Sequence, residues 1–241
     1  MALISDIHGN LQALEAVIAD VRQAGVEETW CLGDLVGYGA QPDECVALTA
    51  EACDVCLAGN HDLVVLDEIS IDRFSPHAAT AALWTRERIS DATAEFLAGL
   101  EPSTEAHEIG LYHASPHDPV WEYVLSTTEA ERCFNEMSPA LGAVGHSHMA
   151  LHCSRQDGER VVMKPAPQGA EQDLSQGRWL INPGAVGQPR DGDWRAAWLL
   201  LDLAAGTAAW RRVEYPIDEA ARAIEDAGLP SVLSERLFVG Q

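Results

Sequence analysis

The sequence predicts an α/β protein with two β-sheets in one domain that covers residues 1–241. Two observations lead to this prediction. Strand-like and helix-like segments alternate through the first 62 residues, which is typical of a sheet with parallel strands, whereas short strand candidates with tight turns dominate from residue 111 onward. A chain of this length can bury one large core, and 47% hydrophobic with 22% charged residues is an ordinary globular composition.

The first half of the chain shows the alternation clearly. The predicted elements are, in order, a strand at 2–5, a helix from 11 to 21, a strand at 28–32, a helix at 42–52 and a strand at 54–58. The helix from residue 11 is indicated by apolar side chains at Leu11, Leu14, Val17, Ile18 and Val21, and Gly25 ends it. Residues 66–101 follow as a helical flank with two helices joined near Ser90-Asp91, where a cap residue opens the second.

In the second half, short strand candidates replace the alternation of strands and helices. The sheet predicted for this half is antiparallel or mixed. Strand candidates lie at 111–114, 141–144, 150–154, 161–164, 179–181, 196–202 and 207–214. Turns are predicted at 156–159 and 204–206, a surface loop at 165–178, and a helix at 218–227. The sequence shows no internal repeat. Two sheets in one domain would account for the strand patterns of both halves of the chain.

Charge and cysteine content limit the partners and the location. With 15 basic and 38 acidic residues the net charge is −23, which disfavours tight binding to nucleic acid or to an acidic membrane. A small phosphorylated substrate remains compatible with this charge, because bound cations reverse the field locally. No apolar run approaches the roughly 20 residues that span a bilayer, and residues 1–9 lack a signal-like segment, so we expect a cytoplasmic protein. The six cysteines, including the pair Cys53 and Cys56, are expected to be reduced, and the oligomeric state is left open.

Five polar clusters stand at the ends of predicted strands. They are Asp6-x-His8, Gly33-Asp34, Gly59-Asn60-His61-Asp62, His113 and Gly145-His146-Ser147-His148. In open α/β sheets, ligands bind where strands end, so we expect these clusters to converge on one crevice. An extended backbone would direct both members of Asp6 and His8, and both members of His146 and His148, to one side.

The clusters offer carboxylate, imidazole and amide donors without thiolate. This mixture suits two divalent metal ions such as manganese, iron, zinc or cobalt. Two cations need about seven protein ligands if one carboxylate bridges them. The candidate ligands are Asp6, His8, Asp34, Asn60, His113, His146 and His148.

These motifs resemble those of the calcineurin-like metallophosphoesterase superfamily, and within it the small prokaryotic phosphodiesterase-like branch. The similarity runs in order through Ser5-Asp6-Ile7-His8-Gly9-Asn10, Gly33-Asp34-Leu35-Val36-Gly37-Tyr38-Gly39, Gly59-Asn60-His61-Asp62, His113-Ala114-Ser115-Pro116, Gly145-His146-Ser147-His148 and Asn182-Pro183-Gly184-Ala185-Val186-Gly187-Gln188-Pro189-Arg190. It therefore extends over nearly the whole chain.

The resemblance implies a four-layer α/β/β/α sandwich of two mixed sheets flanked by helices, the metallophosphatase fold. It places Asp6, His8, Asp34 and His148 on one metal, and Asp34, Asn60, His113 and His146 on the other. Asp34 would bridge the two metals. His61 would not be a ligand but would face the substrate phosphate and the leaving group.

The chemistry expected of such a site is phosphoester hydrolysis. Two cations about 3.5 to 4 Å apart share a water that provides hydroxide near neutral pH, and His61 as imidazolium would stabilise or protonate the departing oxygen. We therefore predict a dinuclear metal-dependent phosphoesterase acting on phosphodiester or nucleotide phosphate bonds. Tyr38 and Arg190 are candidate substrate contacts, Asp62 is interpreted as a turn or cap residue, and the role of His117 is open.

Two alternatives are retained. Within enzymes, the chain could be a phosphomonoesterase or a protein phosphatase, because fold and metal site are shared by many activities. Outside enzymes, it could be an interaction module that kept the fold and lost catalysis, as retromer-type relatives of the family have done. Those relatives depart from the motif set at the catalytic histidine, whereas this sequence retains His61 and the ligand set.

Overall fold

The computed structural model describes residues 1–156 and 158–241, and within these ranges the chain forms twelve strands and eight α-helices. The strands are β1 (Ala2–Ile4), β2 (Thr29–Cys31), β3 (Val55–Cys56), β4 (Ser103–Ala106), β5 (Ile109–Tyr112), β6 (Leu141–Val144), β7 (Leu151–Arg155), β8 (Val162–Pro165), β9 (Glu171–Asp173), β10 (Arg178–Asn182), β11 (Ala196–Asp202) and β12 (Thr207–Val213). The helices are α1 (Leu11–Gln23), α2 (Pro42–Ala52), α3 (Asn60–Val65), α4 (Pro76–Arg86), α5 (Asp91–Ala98), α6 (Thr127–Glu136), α7 (Ile217–Asp226) and α8 (Ser231–Leu237). A short 3-10 helix covers Ile71–Arg73.

The strands form two mixed sheets of six strands each. Sheet A has the order β3-β2-β1-β11-β12-β9, and sheet B has the order β4-β5-β6-β10-β7-β8. In sheet A the strands β1, β2 and β3 are parallel, and in sheet B the strands β5, β6 and β10 are parallel. All other neighbours are antiparallel. Each sheet therefore has one group of three parallel strands whose carboxyl ends lie at the same edge.

The two sheets pack face to face through apolar side chains. Leu3 and Trp210 of sheet A are buried in one cluster with Leu111 and Ile181 of sheet B. The outer face of sheet A is covered by α1, α2 and α7, and the outer face of sheet B by α6, whose Phe134 is fully buried. Each fully buried large apolar side chain contributes about 2 kcal/mol. The predicted four-layer α/β/β/α architecture is confirmed.

Helix α1 shows how the local sequence leads into this architecture. Leu14, Val17, Ile18 and Val21 are buried, so the helical period of apolar residues faces sheet A. The Asn10 side chain caps the helix by accepting a hydrogen bond from the Ala13 amide at 3.2 Å. The cap sets the point where the loop after β1 ends, and that loop carries Asp6 and His8.

Several elements differ from the sequence predictions. The segment 165–178 is not a loop throughout, because it contains β9, which pairs with β12 at the edge of sheet A. Its residues Glu171 and Asp173 are exposed, and such a short polar edge strand lacks the apolar alternation by which strands are recognised. The strand β4 and the helices α3, α6 and α8 were also missed. The predicted turn at 156–159 includes Asp157, which lies outside the described residues.

Two negative observations apply to the described ranges. No helix there is long and apolar enough to cross a membrane. All six cysteines are free thiols, with Cys53 at the end of α2 and Cys56 in β3.

Candidate metal centre

The predicted polar clusters lie at one common edge of the two sheets. Asp6 and His8 follow β1, Asp34 follows β2 and Asn60 follows β3, while His113 follows β5, and His146 and His148 follow β6. Each of these strands belongs to one of the two parallel groups. Because parallel strands end at the same edge, residues from five separate loops come together here.

The backbone of these loops is left-handed rather than extended. Among the described residues with positive φ are Asp6 (56°), His8 (51°), Asp34 (56°), His146 (61°) and His148 (58°). The expectation that an extended backbone aligns each pair of residues was therefore wrong. A left-handed residue other than glycine costs roughly 1–2 kcal/mol, and such conformations concentrate at functional sites. These left-handed conformations direct the side chains inward and lower the stability of the loops.

The first cluster contains Asp6, His8, Asp34 and His148, whose donor atoms all lie within 4.8 Å of one another. His148 Nε2 is 3.4 Å from Asp6 Oδ1, and His8 Nε2 is 3.5 Å from Asp34 Oδ2. The two Nε2 atoms of His8 and His148 are 3.0 Å apart. All four side chains are buried.

The second cluster contains Asp34, His113 and His146, again within 4.8 Å. His113 Nε2 lies 3.6 Å from Asp34 Oδ2 and 3.2 Å from Asn60 Oδ1, so Asn60 joins this cluster. Asp34 Oδ2 is thus close to His8 on one side and to His113 on the other. This is the position that a bridging carboxylate requires.

The hydrogen bonds around the clusters fit bound cations. Nδ1 atoms of His8, His113 and His148 bond to the backbone oxygens of Val36 (3.1 Å), Leu32 (2.8 Å) and Gln188 (2.6 Å). Each Nδ1 then carries the proton, and each Nε2 lone pair points into the centre, as in metal-binding histidines generally.

Two further atoms support the same conclusion. Asp34 Oδ2 and His146 Nε2 are buried and have no hydrogen-bond partner among the described residues. Buried polar atoms are rarely left unpaired, and the lone pairs of His8 and His148 would repel each other at 3.0 Å. Divalent cations would provide the partner that these atoms need.

The electrostatics of burial favour the same ligand forms. Burial raises the pKa of Asp6 to about 7, and it also raises the pKa of Asp34. Burial lowers the pKa of His8, His146 and His148, which keeps these imidazoles neutral. Neutral imidazole is the form that binds metal, and a bound cation shifts the carboxyl groups back to their charged form.

His61 lies beside the clusters without belonging to either. Its ring is 4.4 Å from the rings of Tyr38 and Phe74 and 4.8 Å from the ring of His8. Its backbone amide donates to Asp34 Oδ1 at 2.8 Å, and its Nδ1 is buried without a hydrogen-bond partner in the described structure. The packing holds the imidazole at the wall of an adjoining cavity.

That cavity has a volume of about 430 Å³ and includes the two predicted substrate contacts, Tyr38 and Arg190. Arg190 Nη2 lies 3.4 Å from the Tyr38 hydroxyl and 3.0 Å from Gln188 Oε1. The sequence analysis does not single out the other seven lining residues, which are Arg73, Phe74, Ser75, Ala78, Trp121, Tyr123 and Arg236. They lie outside every motif, so no local signal pointed to them.

The glycines of the motifs allow close approach. Gly33 has φ +98°, and a Cβ at Gly59 would collide with the Asp34 carboxylate. A residue with a side chain at position 33 would be strained by this backbone conformation, which glycine adopts readily.

Asp62 connects two of the loops. Its carboxylate accepts hydrogen bonds from the amides of Gly59 (2.8 Å), Leu35 (2.9 Å) and Val36 (3.1 Å). The side chain is fully buried, and it ties the Asp34 loop to the start of α3. The geometry therefore agrees with a structural role for Asp62.

Asp62→Ala is expected to lower the free energy of unfolding by about 3 kcal/mol or more, because it leaves three buried amide donors unsatisfied. Urea denaturation followed by circular dichroism measures this change. Asp226→Ala, at an exposed position near the end of α7, is the matched control and should change stability little. A loss below about 1 kcal/mol for Asp62→Ala would contradict the structural role.

His117 lies away from the centre. Its Nδ1 is 2.7 Å from Glu136 Oε1, both side chains are partly exposed, and His117 is not part of the cavity lining. An exposed pair of this kind contributes little stability. The structure gives His117 a surface contact rather than a phosphate contact.

Comparisons with known proteins show the family and the fold. A family model described as the calcineurin-like phosphoesterase superfamily domain matches residues 1–206. The chain belongs to this superfamily of phosphoesterases.

Individual relatives extend over the whole chain. An uncharacterised protein of Methanocaldococcus jannaschii is 38% identical over 246 residues, covering 100% of this chain and 98% of the relative. The crystal structure of a metallophosphoesterase from Sphaerobacter thermophilus is also 38% identical and has a TM-score of 0.89, with 100% of this chain and 98% of that chain covered. A hypothetical protein of Pyrococcus horikoshii, 20% identical with a TM-score of 0.79, shares the fold over 100% of this chain and 98% of its own.

Proposed function

We propose that the protein is a dinuclear metal-dependent phosphoesterase that hydrolyses phosphodiester or nucleotide phosphate bonds. The observation that carries this proposal is the position of Asp34 Oδ2, which lies 3.5 Å from His8 Nε2 in one cluster and 3.6 Å from His113 Nε2 in the other. Family membership supports phosphoester chemistry, and the cavity beside His61 supports a substrate with an organic group.

The ligand assignment follows the two clusters. Asp6, His8, Asp34 and His148 would hold one cation, and Asp34, Asn60, His113 and His146 would hold the other. The donors suit manganese, iron, zinc or cobalt. When bound, such a pair lowers the pKa of a water towards neutrality and offsets the negative charge of a reacting phosphate.

The protein side chains would perform the remaining tasks. His61 would hold a proton for the departing oxygen of the substrate. Burial lowers the pKa of His61, and the charge of Arg190 lowers it further, so the free imidazole is neutral. A phosphate anion beside the ring acts in the opposite direction and favours the protonated form. Arg190 would orient the phosphate from the other side of the cavity.

The predicted partner is a small phosphorylated molecule. The net charge of −23 disfavours long polyanions, while the arginines of the cavity favour a short one. A cytoplasmic location, a single domain and the absence of tight nucleic-acid binding remain predictions from composition and charge.

A chromogenic bis-aryl phosphate diester and the matching monoester, compared in the presence of manganese, test the proposal. We expect hydrolysis of the diester, loss of activity after chelation, and recovery when manganese is added back. Hydrolysis of the monoester alone would refute the diesterase assignment. No turnover on a broad phosphoester panel with several metals would refute catalysis and favour an interaction module.

A further inference from the structure

The cavity beside His61 has an unusual charge for this protein. Three arginines line it, Arg73, Arg190 and Arg236, and its described lining contains no aspartate or glutamate. The chain as a whole has 38 acidic and only 15 basic residues. A purely positive cavity in so acidic a protein indicates a site for an anion.

The three arginines reach the cavity from separate parts of the chain. Arg73 belongs to the 3-10 helix before α4, Arg190 to the loop after β10, and Arg236 to α8. Arg236 lies outside residues 1–206, the part matched by the family, so this grouping is not explained by the family motifs. The fold has to bring the three guanidinium groups together.

The three arginines have no direct carboxylate partner among the side chains of the described residues. Among the described residues, none of the three arginines forms a salt bridge with an aspartate or glutamate. Arg190 Nε is buried without a hydrogen-bond partner, and Arg236 Nε donates to the Gln241 backbone oxygen at 2.9 Å. Several guanidinium N–H groups therefore stay available, and their planar fork matches the oxygens of a phosphate.

Proximity makes this positive charge unfavourable without an anion. Burial and the charge of Arg190 together lower the pKa of Arg236. Like charges close together in a half-buried cavity repel each other, and an anionic group bound between them would relieve that repulsion.

The remaining wall of the cavity is aromatic. Phe74 lies 4.4 Å from His61 and 5.8 Å from Trp121, measured between ring centroids. The Arg73 guanidinium lies over the Trp121 ring at 4.7 Å, which holds it at this wall. A flat organic group can pack on such a surface while charged groups are held at either side.

We propose that Arg73 and Arg236 form a second anion subsite, and that the substrate is an organic molecule that carries two phosphate groups. At the metal centre one phosphate ester would be hydrolysed: the oxygen of water bonds to phosphorus, the bond to the departing oxygen breaks, and His61 donates a proton to that oxygen. The other phosphate is not cleaved and binds Arg73 and Arg236 across the Phe74 wall. This inference rests on the proposed function and names its substrate class. Arg73 and Arg236 determine specificity and do not touch the reacting atoms.

Binding of two nucleotides that differ by one phosphate tests the subsite. Isothermal titration calorimetry on the metal-loaded protein compares adenosine 3′,5′-bisphosphate with adenosine 5′-monophosphate. We expect the dissociation constant of the bisphosphate to be about tenfold lower than that of the monophosphate, because charge-assisted hydrogen bonds to the second phosphate contribute about this factor. In the double variant Arg73→Met/Arg236→Met, the ratio of the two dissociation constants should fall towards one. The double variant Arg73→Lys/Arg236→Lys should recover part of the wild-type ratio, because lysine keeps the positive charge but lacks the planar guanidinium group.

Arg222→Met removes one exposed arginine from α7 and is the matched control, which should keep the wild-type ratio. Thermal melts and metal content identify any variant that fails to fold. A wild-type ratio near one, or an unchanged ratio in the double methionine variant, overturns the subsite. Turnover of the bis-aryl diester, the matching monoester and adenosine 3′,5′-bisphosphate is measured separately. Activity with a ratio near one rejects the subsite alone. The expected ratio with no turnover of any of the three compounds rejects the phosphoesterase function alone.

Discussion

Asp34→Ala is expected to remove both cations and to lower the rate of phosphoester hydrolysis by more than about 100-fold. Changing a residue that only supports a metal ligand lowers activity by up to about 100-fold, and Asp34 is proposed to be a ligand itself. Asp34 Oδ2 is close to the donor atoms of both clusters, so its loss affects both positions at once. Metal content per chain, measured by elemental analysis of protein purified without chelator, gives the direct result. Hydrolysis of the bis-aryl diester gives the functional one.

Asp226→Asn changes an exposed aspartate on α7 and should retain both metal content and activity. The second cluster also predicts a graded result, because His146→Ala should weaken only the cation held by Asp34, Asn60, His113 and His146. An Asp34→Ala protein that keeps two cations per chain would contradict the bridging assignment. A protein that keeps one would show that Asp34 serves a single position.

His61→Ala is expected to lower turnover by about 10²- to 10⁴-fold, the usual contribution of a positioned acid or base, while metal content stays nearly intact. The physical reason is that the His61 side chain belongs to neither ligand cluster and instead lies at the cavity wall, between Tyr38 and Phe74. Steady-state kinetics and elemental analysis on the same preparation separate the two effects.

His77→Ala removes an exposed histidine from α4 and controls for the loss of an imidazole as such. His61 is buried, so a thermal melt must accompany the kinetics to detect a packing defect. Loss of metal in parallel with activity would assign His61 to the coordination sphere. Unchanged turnover would remove it from the mechanism.

The sequence alone was sufficient for the α1 helix and for the position of the polar clusters. Buried residues of α1 follow the helical period because one face packs on sheet A. The clusters could be located because each follows a short apolar strand, and parallel strands end at a common edge. The sequence did not predict polar edge strands such as β9, because these strands bury too little apolar surface to show a period.

What the sequence determined was the donor set of Asp6, His8, Asp34, Asn60 and the three histidines at 113, 146 and 148, because short motifs encode which atoms are available at each strand end. The tertiary structure decided how those atoms are directed, through left-handed backbone at Asp6, Asp34 and His146. It also decided that Arg73 and Arg236 share a cavity. Proximity between residues far apart in the chain depends on how helices and sheets pack, and no local pattern of residues carries that information.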